Sequence, residues 1–361
     1  AHPFLVIARK SPFAADLEGY LPMRSLSGWA LGLALAGGVL AGLGPPALAA
    51  TSAHYSVPVL RLPFLVAPPL DGRVRPDQWL GADEMTGVGS GPGLAPWTAH
   101  FWVGADRREL FIAMVSETPP GGKLLARVNP MPPGINAHPA MVDDTVEILV
   151  DPSPQRKGAR VYHAILNARG AIWQAAFRTS GGGTLRWQGH WRVANRIVGN
   201  RWYFEAAIPW RDFGIHDVQG KTIGIRVGRD WLQIPGRRWA QTWWSPIPGP
   251  SINPGTLPRV TFAPGAPVVQ VRGLRGKRKD SADIRLAIRN TTDRPRRIQY
   301  SIVVRARFGR PTTESRTLTL PPHYTRIVKV HPAGSLLRTA GRCSTGAISS
   351  GASPVPGGSG P

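Results

Sequence analysis

The chain has one cysteine, Cys343, in 361 residues. No disulfide framework can form within it, so the fold must rest on its core. Acidic residues are scarce: 21 Asp and Glu stand against 44 Lys and Arg, a formal net charge of +23. Long apolar runs are missing apart from one of roughly 15 residues near the start, short of the ~20 that a membrane-spanning helix needs. No Gly-x-Ser-x-Gly elbow, His-Glu-x-x-His pair or phosphate loop occurs, so the enzymes built on those motifs are excluded. No Cys-x-x-Cys-His haem-attachment motif is present either. Sustained helical periodicity is absent. The positive charge invites a nucleic-acid or anionic-surface reading. Yet no nucleic-acid motif accompanies it and the arginines are spread along the chain, so no nucleic-acid partner is expected.

What is abundant is punctuation. Glycine (42) and proline (37) break the chain into short segments, and hydrophobic content is 42%, enough for a sizeable core. Met23-Arg24, the apolar run Trp29 to Leu43 and Ala47-Leu48-Ala49 read as an export signal over 23–49, cleaved before Ala50. Residues 1–22 read as upstream read-through. Segment 68–264 then shows short alternating runs separated by turns. His100 to Gly104 and Glu109 to Val115 make a hairpin about Ala105 to Arg108. Arg160 to Asn167 and Ile172 to Phe177 flank Ala168-Arg169-Gly170, and Trp191 to Val198 and Arg201 to Ile208 flank Gly199-Asn200. Gly121 to Ala140 is a long loop, and Pro209 to Gly214 suits one helical turn. Many short strands with turns between them predict an all-β chain built on a β-sandwich.

The run Met141 to Pro152 is central. Val146, Ile148 and Val150 alternate with Thr145, Glu147 and Leu149, a strand with one apolar face. Glu147 stands mid-strand on the other face. A charge there must meet water, a metal or a polar partner. Asp144 and Glu147 fall on opposite faces by parity, which disqualifies them as a glycosidase pair.

In order, Asp71-Gly72 with Trp79, Phe101 to Ala113, Asp144 to Pro152, Tyr162 to Gly170, Trp202 to Pro209, Ile223 to Val227, and Trp244-Ser245-Pro246 with Asn253-Pro254 carry a resemblance. Over about Leu70 to Phe262 the chain resembles the family 9 carbohydrate-binding modules. The resemblance implies a non-catalytic protein that binds a glycan or oligosaccharide, with hydroxyl partners at Glu147 and Asn167. A structural hydrogen-bonded pair is the alternative for those two. In the family two Trp rings clamp a terminal sugar; here Met141 and Ser251 or Ile252 stand in their places, and Ile165 replaces an Arg. Trp97, Trp173, Trp231, Trp239 and Trp243 are the other aromatics on hand, with core packing as the plainer role. Loss of the clamp keeps open a structural or adhesive surface sandwich with a degenerate sugar site. No cofactor is expected; calcium at a structural site held by Asp143 and Asp144, with Asp151 near, stays open. Related domains hold haem between Met and His, which places Met141 and His163 under the same scrutiny, against a hydrogen-bonded strand histidine.

Pro264 to Pro267 reads as a linker. Residues 268–332 alternate again and suggest a smaller immunoglobulin-like β domain. Its basic cluster, Arg272, Arg275, Lys277, Arg278 and Lys279, suggests contact with a cell surface or anionic polymer, against a merely solvated face. From Gly334 the chain is Gly, Ser, Pro and Ala and reads as a disordered tail.

Overall fold

The computed structural model describes residues 4–5, 57, 59–86, 89–90, 93–94, 99–118, 123–139, 142–154, 156–178, 184–232, 240–244, 253–278, 281–306, 312–330 and 343–352. The expected export segment, 23–49, lies outside them. Residues 10–54 also lie outside them; the described residues cluster as one compact unit.

Twenty-two strands run through the described residues. In chain order they are β1 (Phe4–Leu5), β2 (Val59–Leu62), β3 (Asp83–Thr86), β4 (Gly89–Ser90), β5 (Gly93–Leu94), β6 (Ala99–Ala105) and β7 (Glu109–Glu117). Then come β8 (Thr145–Asp151), β9 (Arg160–Asn167), β10 (Ile172–Arg178), β11 (Thr184–Leu185), β12 (Arg192–Val198), β13 (Arg201–Pro209) and β14 (Thr222–Trp231). The last are β15 (Ala240–Trp243), β16 (Arg259–Phe262), β17 (Val268–Arg278), β18 (Ser281–Arg289), β19 (Arg296–Ala306), β20 (Thr312–Leu320), β21 (Thr325–Val330) and β22 (Cys343–Ala352). The expected helical turn is present as a 3-10 segment, Trp210–Phe213, closed by Gly214 in the left-handed region.

The main domain is a β-sandwich. One sheet has the order β11-β10-β9-β8-β14-β15-β4-β5, with β16 bonded to β14 and β2. The other begins β12-β13-β7-β6-β3. Val146, Ile148 and Val150 face Phe101, Ile112, Phe204 and Ile208 in one core, as the period-two pattern predicts. Each sheet is also covered on its outer side. Trp79, Trp102 and Phe111 pack on one outer face, while Leu149, Val161 and Leu257 pack on the other. All seven residues of β8 are therefore buried, the outer ones included. The Asp71-Gly72 motif finds its reason here. Buried Glu205 accepts the Asp71 and Gly72 amides at 3.0 and 2.7 Å, and Gly72 sits at φ 72°, which favours glycine.

Beyond Pro267 the chain makes a smaller β-sandwich. Val269, Val271 and Leu286 pack against Ile298, Tyr300 and Leu320. The strand order does not establish an immunoglobulin-like topology. Its β17-β18-β21 layer continues the main domain's sheet through one parallel pairing, Gln270 with Glu84. At this seam Asp83 accepts the Val269 amide at 2.7 Å, and Gln270 Nε2 donates to the Trp79 and Ala82 carbonyls. Residues 343–352, within the stretch from Gly334 on, form β22, antiparallel to β19 and also paired with β1. A strand that adds to an open sheet edge is held by backbone bonds, so it needs no apolar pattern of its own.

Candidate functional site

The outer face of the central sheet carries a row across five strands. Trp173 on β10 pairs with Ile165 on β9, and Ile165 with Glu147 on β8. Glu147 pairs in turn with Gly228 on β14, and Gly228 with Trp243 on β15. Residues directly opposite one another share a face, so a carboxylate stands midway between two indoles. His163 lies on the same face of β9, beside Leu149.

The carboxylate is buried, at 2% exposure. Its Oε1 lies 2.6 Å from His163 Nε2. That contact is within ion-pair distance, and His163 Nε2 has no hydrogen-bond partner among the described residues. Glu147 Oε2 has no hydrogen-bond partner there either. His163 meets the Trp173 ring edge-on, with centroids 5.3 Å apart. His163, Ile165 and Trp173 are half-buried, so the face is open on their side. A buried polar atom without a partner costs about 1–3 kcal/mol. A hydroxyl donor from a ligand would remove that deficit.

Trp243 closes the other side. A Cβ added to Gly228 would lie 2.4 Å from Trp243 Cε3 and 2.8 Å from Cζ3. Glycine lets the indole settle onto the strand. Gly228→Ala is expected to displace that ring and lower stability by about 1–3 kcal/mol, read by thermal melting and by the tryptophan emission spectrum. An unchanged spectrum and melt would show the ring to be free of the strand.

Asn167 is placed differently from Glu147. It is fully buried, and its side chain is saturated. Nδ2 donates to Val128 O and to Asp143 Oδ2, each at 2.8 Å, while Oδ1 accepts the Arg169 and Ala171 amides at 3.0 and 2.9 Å. An amide has two donor hydrogens and two acceptor lone pairs, and all four are in use. Asn167 thus closes the turn to β10 and ties down the 123–139 segment.

The adjacent acids serve the same segment. Asp143 accepts the Arg127 and Val128 amides at 2.7 and 3.0 Å. Asp144 accepts the Leu125 and Leu232 amides at 2.8 and 2.7 Å. Burial raises the Asp144 pKa, and those two amides oppose the rise. Among the described residues no three His, Cys, Asp or Glu gather as a metal set.

The remaining sequence candidates separate by position. Trp231 is a core residue, with the Arg229 guanidinium 5.0 Å from its ring centroid. Arg229 is itself fully buried, and desolvation lowers its pKa to about 9. Asp151 is buried and its Oδ1 accepts the Ser153 amide, which makes the turn after β8. His163 is engaged with Glu147 and Trp173, while Met141, Trp97, Trp239, Ser251 and Ile252 lie outside the described residues. Gly228 was missed as part of this face. Its position inside an apolar strand was the available signal, since a mid-strand glycine often marks a close approach.

No family model matches the chain, and no curated protein matches it. Solved structures do. A "putative carbohydrate-binding protein" of Bacteroides uniformis is similar at 17% identity and a TM-score of 0.45, over 57% of this chain and all of that one. A family 9 carbohydrate-binding module of Caldicellulosiruptor kristjanssonii, solved with cellotriose and with glucose, is similar at 16% identity and a TM-score of 0.40. Those two matches also cover 57% of this chain, and 94% and 96% of the module. Over 57% of its length the chain is thus similar to a putative carbohydrate-binding protein and to a family 9 carbohydrate-binding module.

Proposed function

We propose that this is an exported, non-catalytic carbohydrate-binding protein that takes its glycan on the face around Glu147, as one part of a glycan-degrading system. The observation that carries the reading is the buried Glu147 Oε2, which has no hydrogen-bond partner among the described residues, on a face flanked by Trp173. A sugar hydroxyl supplies the donor that the carboxylate lacks, and the C–H face of a pyranose stacks on an indole. Glu147→Ala is expected to weaken glycan binding about 5- to 150-fold, equivalent to 1–3 kcal/mol. Trp173→Ala should weaken it by a smaller factor. A glycan array followed by calorimetric titration checks both. A wild type that binds no glycan, or a Glu147→Ala protein that binds as tightly as wild type, would overturn the assignment.

Export rests on Ala47-Leu48-Ala49 after the apolar run. Secreted material should begin at Ala50 on N-terminal sequencing; a mature chain still carrying Met23 would refute this.

The second reading, a structural or adhesive sandwich without a working sugar site, is favoured by Asn167. Every polar position of that residue is already bonded within the protein. It predicts that Glu147→Ala lowers the melting temperature and that no glycan binds.

A further inference from the structure

We infer that the outer face of β18 and β21, in the smaller sandwich, is a docking surface for an acidic polysaccharide. Segment 268–330 holds sixteen Lys and Arg but four acids, Asp280, Asp283, Asp293 and Glu314. The cluster singled out by sequence is not all available. Arg272 lies 3.4 Å from buried Glu84 and also donates to Gln270, so it belongs to the seam with the main domain.

The cations on β18 and β21 stand otherwise. Ile284, Leu286 and Ile288 face the core, which puts Arg285, Ala287 and Arg289 on the outer side. Arg285 is paired with Lys329, Ala287 with Ile327 and Arg289 with Thr325. Arg285 and Lys329 are exposed like charges directly opposite each other, an arrangement that opposes folding. Neither makes an ion pair among the described residues. Arg289 makes one long contact, to Thr325 Oγ1 at 3.5 Å. Arg285 and Arg289 are four residues apart on one strand, about 13 Å.

An apolar group lies between these charges. Ile327, opposite Ala287, is 53% exposed, and β21 is the last strand of its sheet among the described residues. The surface is thus a strip of three cations about one exposed apolar side chain. An acidic sugar offers the matching set in every residue, a carboxylate together with an apolar C–H face. Single-stranded nucleic acid is held by successive aromatic platforms, and this strip has none. A membrane surface calls for a broader apolar face than one side chain. The choice of a polysaccharide leans on the carbohydrate reading for the class of polymer only; the cationic strip is a separate surface from Glu147.

The test uses the full chain and immobilised polygalacturonate, read by biolayer interferometry at 50 and 300 mM NaCl. Wild type should bind, and its affinity should fall about tenfold or more at the higher salt. Arg285→Glu/Lys329→Glu should lose about tenfold or more at low salt with an unchanged melting temperature. If that variant melts lower, Arg285→Gln/Lys329→Gln carries the same expectation. Glu147→Ala should leave polygalacturonate binding as it is, so failure at the sugar face and failure here read out separately. A charge-reversed protein that binds like wild type would overturn the inference. So would a wild type that prefers a thymidine oligonucleotide or phosphatidylglycerol vesicles to polygalacturonate.

Discussion

Replacing Asn167 by alanine is expected to lower the stability of the chain by about 3–5 kcal/mol, while the fold around Glu147 loosens rather than losing one sugar contact. Four hydrogen bonds disappear at once, at a position with no exposure. Their partners stay behind, buried or half-buried. The amides of Arg169 and Ala171 lose an acceptor, and the Val128 carbonyl and Asp143 lose a donor. Each orphaned group adds to the loss because water does not reach it freely. Asn167→Asp is the informative companion. It keeps both acceptor bonds but sets a second carboxylate against Asp143, which lies 2.8 Å from the present amide nitrogen. That variant should be less stable as well, and most of all where both acids are ionised. Urea unfolding at pH 7 measures both. A loss below about 1 kcal/mol with abolished glycan binding would return Asn167 to the sugar site.

The second large effect is a dependence on pH set at the seam between the two sandwiches. Asp83 is wholly buried, and desolvation pushes its pKa from 3.8 up to about 7, opposed by the Val269 amide. The folded chain therefore keeps a proton that the unfolded chain releases near pH 4. Stability from this group is fully present below about pH 4 and is lost as pH rises through about 7. At about 1.4 kcal/mol per pH unit the loss is on the order of 4 kcal/mol, complete a little above neutrality. Burial moves Asp144, Asp151 and Glu205 in the same direction. Asp83→Asn is expected to abolish most of the slope between pH 5 and 8, because the amide cannot ionise. Denaturant melts across that range on both proteins check it. A wild-type stability that falls with pH no more steeply than the variant's would sink the assignment.

The strands of the main sandwich were legible because a two-residue period is a local property. Val146, Ile148 and Val150 declare an apolar face whatever lies opposite, and all three are in the core. The 3-10 turn at Trp210–Phe213 was legible from Pro209 and Gly214 for the same reason, since both residues restrict or free their own backbone. Parity also separated Asp144 from Glu147, and the two carboxylates do serve different partners.

The roles of Glu147 and Asn167 were not legible. Both follow from the same resemblance, at similar depth in neighbouring strands, and the sequence treats them alike. Their difference comes from segments distant in the chain: Val128 is 39 residues from Asn167, and Asp143 is 24. The same is true of Trp243, whose ring is placed by Gly228 on a different strand, and of β22, whose small polar residues carry no apolar signal. What the sequence determined by itself is which residues alternate, turn and repel. Those properties depend on each residue and its immediate neighbours. What only the tertiary structure decided is which buried polar atoms are saturated and which are left wanting a partner. Hydrogen bonding of that kind is a matter of three-dimensional pairing, and β-sheet pairing draws its partners from any distance along the chain.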